Sequence, residues 1–189
     1  MNIGLSQRVL SYKDREYDCL SRDFYRLFKG HTLIPIPNGY DIDYDELANT
    51  LDLLVLTGGD ASKDRIITEA NICSRMMKLN KPILGICHGA FLLTEIFNGE
   101  VEESLAEWGE DHCIVYHGTA HLVNSYHTNV ITKAPKHSTT LCVDEEGYIE
   151  SWIKDNVAAV VWHPERMDTF WMPREVEQLI NKQLTHTRH

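Results

Sequence analysis

The stretch Pro82-Ile83-Leu84-Gly85-Ile86-Cys87-His88-Gly89 permits very few backbones. A short apolar run reads as a buried strand, it ends in Gly-x-Cys-x-Gly, and the residues after it have helical character. Such a strand must stop, turn where neither flank has room for a Cβ, and begin a helix directly after the cysteine. Cys87 then stands above a helix N-terminus, whose partial positive charge favours a thiolate. An unperturbed cysteine is only about 3% ionised at pH 7, and lowering its pKa by roughly two units would make it mostly thiolate. Read alone, the motif fits a buried cysteine between helix-capping glycines equally well.

Two further segments bear on that choice. Ala158-Ala159-Val160-Val161-Trp162 reads as another buried strand and runs into His163-Pro164-Glu165. Nucleophilic catalysis by cysteine needs a base within reach and a third group that orients the base. His163 and Glu165, two apart at a strand end, can point the same way, and Pro164 stiffens the link. The run Leu51-Asp52-Leu53-Leu54-Val55-Leu56-Thr57-Gly58-Gly59-Asp60 reads as a central parallel strand with a glycine loop at its carboxyl end. Active sites of open α/β sheets lie at such ends. Backbone N–H groups of Gly58, Gly59 and His88 are candidates for an oxyanion hole. Read alone, the glycine loop is an ordinary turn, but two strand-end motifs in nucleophile-then-base order are much harder to reach by accident.

Around them the pattern alternates. Residues 2–9 read as a strand, and 16–29 as a helix with Tyr17, Leu20, Phe24, Leu27 and Phe28 on one face. Strands follow near 32–36 and 51–57, then helices over 64–79 and 88–97, the latter closed by Asn98-Gly99. Residues 113–153 carry short β-branched runs that suggest antiparallel strands. A last helix covers 173–184 with Pro173 in its first turn, and the tail 185–189 should fray. The prediction is one α/β domain over residues 1–189, with a mainly parallel central sheet, helices on both faces and an antiparallel β section.

Composition excludes some functions. With 18 basic and 28 acidic residues the net charge is −10, which argues against nucleic-acid and membrane-surface partners. Five cysteines (Cys19, Cys73, Cys87, Cys113, Cys142), odd in number and without Cys-x-x-Cys spacing, fit a reducing cytosol. No signal-peptide pattern and no stretch of transmembrane length is visible. Among ten histidines, His112, His117, His121 and His127 invite a metal. His117 and His121 have helical spacing in a segment that reads as strand and turn, where it does not converge. No metal or cofactor is expected.

Together the three strand-end motifs resemble the class I glutamine amidotransferase superfamily, which implies a flavodoxin-like fold and a Cys87, His163, Glu165 triad. Within it the nearer likeness is to stand-alone γ-glutamyl hydrolases, carried by Ile3-Gly4-Leu5, the Tyr12 to Asp18 run, Ile34-Pro35-Ile36-Pro37-Asn38, Gly58-Gly59-Asp60 with Arg65 and Glu69, and Asn124-Ser125-Tyr126-His127. The resemblance implies a small γ-glutamyl substrate, with Asp60, Tyr126 and His127 in its pocket. Glutamine-using members usually carry Gln four residues after the nucleophile, where this chain has Phe91. Phenylalanine can neither donate nor accept those hydrogen bonds, so free glutamine is disfavoured.

The run from Ser6 to Arg15, Gly85 to Phe91, and Trp162 to Arg166 look like hydrolases of nucleotide-linked γ-glutamyl amides. That likeness implies γ-glutamyl-CDP-amidate as substrate and cytidine diphosphoramidate as product, for capsule modification. Arg8, Lys13, Arg15, Lys63, Arg65 and Arg166 fall where strand ends should converge and are candidates to clamp the phosphates, Arg8 and Arg166 foremost. A glutaminase that serves a synthetase partner and a non-catalytic binding module are the alternatives. Oligomeric state is left open.

Overall fold

The computed structural model describes residues 1–39, 41–104 and 111–186. Its elements run β1 (Asn2–Ser6), β2 (Arg8–Tyr12), β3 (Arg15–Cys19), α1 (Asp23–Leu27), β4 (Thr32–Ile36), α2 (Tyr44–Thr50), β5 (Leu53–Leu56), α3 (Lys63–Lys78), β6 (Ile83–Ile86) and α4 (His88–Ile96). There follow β7 (Glu100–Glu103), β8 (His112–Tyr116), β9 (Thr119–Val123), β10 (Asn129–Lys133), β11 (Thr139–Asp144), β12 (Ile149–Lys154), β13 (Val157–Val160), a 3-10 turn (Pro164–Arg166) and α5 (Arg174–His186).

The centre of the sheet is parallel, in the order β4-β1-β5-β6-β13. Numbered by occurrence among these strands, that is the 2-1-3-4-5 order of flavodoxin-like sheets, and right-handed crossovers between such strands put helices on both faces. Strands β5 and β6 are buried at every residue, as strands covered on both faces must be, which is why they read as unbroken apolar runs. Beyond β13 the sheet continues antiparallel through β12, β11, β8 and β9, while β10 and β7 branch from β12. The site-bearing turns follow β5, β6 and β13, three neighbours whose carboxyl ends share one edge.

The N-terminal region corrects the expected helix over 16–29. Its first part is strand: β2 and β3 form a separate hairpin that turns at Lys13 (φ 49°) and Asp14 (φ 61°). Positive φ at both central residues is the type I′ turn, whose twist suits a two-residue hairpin. The Asp18 carboxylate accepts from the Asn38 backbone N–H at 2.9 Å and its side-chain amide at 2.6 Å, tying β3 to the loop after β4. Only α1 remains of the helix; Phe24 and Phe28 are buried as expected, whereas Tyr17 is exposed. The strand expected over 2–9 breaks at Gln7. Helix α2 is an addition to the expected elements, and Asp43 caps it by accepting from the N–H groups of Asp45 and Glu46. Among the described residues no helix is long and apolar enough to cross a membrane.

Candidate active site

At the end of β6 the chain turns on Cys87, whose φ of 50° and ψ of −106° are strained for any residue with a side chain. The flanking glycines make the turn possible. A Cβ on Gly85 would lie 2.5 Å from the Gly89 carbonyl oxygen, and one on Gly89 would lie 2.2 Å from that of Leu56. The backbone N–H groups of His88 and Gly59 stabilise the charged form of the cysteine sulfur. Those donors do not make it a resting thiolate, contrary to expectation. Burial pushes the Cys87 thiol up to about 11, the nearby Glu165 charge adds to the rise, and the two N–H groups and Arg166 offset it only partly. At 6% exposure, lost hydration outweighs the helix terminus. Cys87 therefore rests as a thiol and needs a base to become a nucleophile.

A candidate base lines the same cavity. Strand β13 stops at Val160, two residues earlier than predicted, and buried Val161 and Trp162 carry the chain to His163. His163 Nδ1 lies 2.6 Å from Glu165 Oε1, and both residues are almost fully buried. With Nδ1–H donating to the carboxylate, Nε2 keeps the lone pair. Asn124 grips the His163 peptide from both sides: its Oδ1 accepts from the backbone N–H at 2.8 Å, and its Nδ2 donates to the carbonyl at 2.9 Å. Arg26 donates to the carbonyl oxygens of Glu165 and Met167, fixing the 3-10 turn. The edge-on ring of Tyr126 packs against His163 at 5.6 Å between centroids.

The glycine loop is braced from behind. Gly59 has φ 114°, which disfavours any side chain. Arg65, a candidate phosphate clamp by sequence, has no exposed surface and cannot serve as one. Its guanidinium donates to the carbonyl oxygens of Thr57 at 2.5 Å and Asp60 at 3.0 Å, and to Glu69 Oε1 at 2.9 Å. The other Glu69 oxygen lies 2.8 Å from His88 Nε2. Burial alone would raise the Glu69 carboxyl, but the His88 hydrogen bond and the Arg65 charge outweigh it and hold the pKa below its ordinary value. One buried network thus spans the glycine loop and the residue after the cysteine.

Cys87, His88, Gly59 and His163 open into a cavity of about 520 Å³, and Arg8, Asp60, Phe91, Tyr126, His127 and Arg166 also line it. Gly58 lies just beneath, under the His163 ring. Arg166 sits over the Tyr126 ring, 4.8 Å from its centroid. Phe91 meets the edge of His127 at 5.9 Å, and burial lowers the His127 pKa, so it lines the wall as neutral imidazole. Of the six candidate cations, only Arg8 and Arg166 reach this cavity. Lys13 and Arg15 surround a separate hollow at the hairpin tip, and Lys63 is exposed at the start of α3. Asn124 and Glu69 stand out in the sequence only as parts of a family-like pattern; nothing in their local spacing announces contacts to His163 or His88.

Comparison with known proteins bears on the family and the fold. Residues 19–181 match the glutamine amidotransferase class-I family. The chain is 27% identical over 183 residues to the γ-glutamyl-CDP-amidate hydrolase of Campylobacter jejuni, covering 88% of this chain and 90% of that protein. In fold it resembles a Thermoplasma acidophilum protein described as belonging to a GMP synthase, with a TM-score of 0.72 at 20% identity over 100% of this chain and 96% of that one. A glutamine amidotransferase from Thermotoga maritima gives a TM-score of 0.66 at 14% identity, covering 97% and 82% of the respective chains.

Proposed function

The chain belongs to the class I glutamine amidotransferase family, and from that premise we propose that it is a γ-glutamyl amide hydrolase working through Cys87, His163 and Glu165. The observation that carries the proposal is the strained Cys87, presented to a cavity that it shares with an imidazole held at 2.6 Å by a buried carboxylate. As the sulfur attacks the γ-carbonyl carbon, His163 Nε2 takes the thiol proton, which bridges the gap left by a thiol pKa of about 11. The carbonyl oxygen becomes an oxyanion, and the backbone N–H groups of Gly59 and His88, which favour negative charge on the neighbouring sulfur, are its candidate donors. Glu165 stabilises the imidazolium without taking its proton. His163 then gives the proton to the leaving nitrogen, a γ-glutamyl thioester remains, and water activated by the same imidazole releases glutamate.

For the leaving group, the cavity offers two arginines at its rim and Phe91 where an amide would hold free glutamine. Likeness to a γ-glutamyl-CDP-amidate hydrolase supports the same substrate here, with cytidine diphosphoramidate released. A second reading, a glutaminase that hands ammonia to a synthetase, is favoured by the fold likeness to the Thermoplasma GMP synthase protein.

Glutamate release should be measured from γ-glutamyl-CDP-amidate, glutamine and a small uncharged γ-glutamyl amide. The nucleotide conjugate should be turned over best. Cys87→Ala and His163→Ala should each lose nearly all activity, since residues that act as a unit fail singly. Full activity in Cys87→Ala would sink the mechanism, and a preference for glutamine over both conjugates would favour the second reading.

A further inference from the structure

Behind the wall of the candidate active site, His112 on β8, His127 before β10 and Glu150 on β12 converge. One nitrogen from each imidazole and one carboxylate oxygen lie within 4.8 Å of one another. His127 Nε2 is a buried atom without a hydrogen-bond partner, and the buried His112 Nε2 and Glu150 Oε2 face each other at 3.5 Å, an ion pair only while His112 is protonated. Glu150 is 2% exposed and His127 is 7% exposed. Leaving such groups unpaired is costly, most of all for the carboxylate. A cation among them would satisfy all three at once.

We propose that His112, His127 and Glu150 form a binding site for a divalent transition-metal ion, with zinc the first choice. Two imidazoles and one carboxylate are a known zinc ligand set, with the fourth position left to water. Tetrahedral bonds of about 2.0–2.1 Å place ligand atoms roughly 3.4 Å apart. His112 Nε2 and Glu150 Oε2 are already at 3.5 Å, so the third ligand needs only a small side-chain rotation. His127 is preset for the task. Its Nδ1 lies 2.8 Å from the Asn129 carbonyl oxygen and donates to it, so Nε2 carries the lone pair.

Access and charge agree with this assignment. The ligand atoms face a hollow of about 290 Å³ that Asp111, Asp144, Glu145 and Glu146 also line, and among the described residues no lysine or arginine lines it. Such a concave acidic mouth concentrates cations. His117 and His121, the pair with helical spacing, take no part: His117 meets Glu175 at 3.3 Å, and His121 stacks on Trp171. Because His127 borders both hollows and touches Phe91, a bound ion would fix the wall of the larger cavity.

The site does not depend on turnover at Cys87, so its test reads binding. Untagged protein freed of metal with a chelator should be titrated with zinc chloride against a chromophoric chelator, alongside thermal melting. The wild type should take up one equivalent and melt higher with zinc. Glu150→Gln and His112→Gln should each bind at least tenfold more weakly and lose the melting shift, while His121→Gln should retain both. Partly exposed His112 keeps the test usable if the Glu150 variant fails to fold. Cobalt in place of zinc should give the visible bands of a tetrahedral site. Absence of stoichiometric zinc, or equal affinity in the His112 and Glu150 variants, overturns the site.

Discussion

Gly58 passes beneath the His163 ring so closely that a Cβ there would lie 2.3 Å from Cε1 of the imidazole. A side chain there would crowd that ring, which Glu165 holds at Nδ1. Gly58→Ala must therefore shift the loop or tilt the imidazole, and small misplacements of a base cost about 10²-fold. The variant should lose kcat for glutamate release by about that factor with KM nearly unchanged. Unaltered kcat would mean that the loop absorbs the added methyl and that Gly58 does not fix the position of the His163 ring.

The thiol makes a prediction about pH. With Cys87 near 11, alkylation by iodoacetamide should climb about tenfold per pH unit from 7 to 10, because only the thiolate reacts. Mass spectrometry on the Cys87 peptide resolves it from Cys142, which burial pushes up to about 12. A plateau from pH 6 upward would instead reveal a resting thiolate–imidazolium pair.

Glu69 governs the acid limb of stability. Its folded pKa lies below the ordinary value, so it adds stability above the unfolded pKa and loses it as pH falls through the folded one. Glu69→Gln leaves Arg65 buried without its counter-charge, a change that costs about 3–5 kcal/mol. The gap in melting temperature between wild type and variant should be widest near pH 6–7, begin to narrow near the unfolded carboxyl value of about 4.3, and close only as pH falls through the lower folded pKa. A gap that stays constant to pH 3 would remove Glu69 from the acid response.

What can be read from the sequence is local. The apolar runs of β5 and β6, the glycines that force the elbow, and the Asn98-Gly99 pair that closes α4 act within a few residues. The β2–β3 hairpin is hidden because Tyr17, Leu20 and Phe24 happen to keep helical spacing, while Lys13-Asp14 lacks the glycine that usually announces a type I′ turn. Burial is not local. The helix terminus under Cys87 is legible, but the burial that overrides it, and the charge of Glu165 that adds to it, depend on parts of the chain brought together only by the fold. Arg65 reads as a free cation in the chain and is fully buried in the fold. Likewise, His112, His127 and Glu150 meet only because β8, β10 and β12 belong to one branched sheet.

Phe91 sets the next expectation. It is 7% exposed, lines the cavity and packs on His127, so it cannot hold an amino-acid end by hydrogen bonds. Phe91→Gln should raise kcat/KM for glutamine several-fold and lower it for a bulky γ-glutamyl conjugate. If glutamine turnover stays flat while conjugate turnover falls, Phe91 is a packing residue and another feature sets specificity.

Arg8 and Arg166 enter the cavity from opposite neighbours. Arg8 packs its stem on Gly59, where a Cβ would meet its Cδ at 2.9 Å, and Arg166 lies over Tyr126. Neither guanidinium is walled in as Arg65 is, so both can turn toward a diphosphate and pair with it bidentately. Arg166 is also close to the chemistry: its Nε is 3.7 Å from Glu165 Oε1, and its charge acts on the Cys87 thiol. Two roles are therefore separable by substrate. If the arginines clamp phosphates, Arg8→Ala and Arg166→Ala should raise KM for γ-glutamyl-CDP-amidate by about tenfold or more and leave an uncharged γ-glutamyl amide nearly unaffected, because the lost contact is to the leaving group alone. If they tune the triad, kcat should fall on both substrates and the alkylation profile of Cys87 should move. Equal losses on both substrates, with that profile shifted, would exclude the clamp.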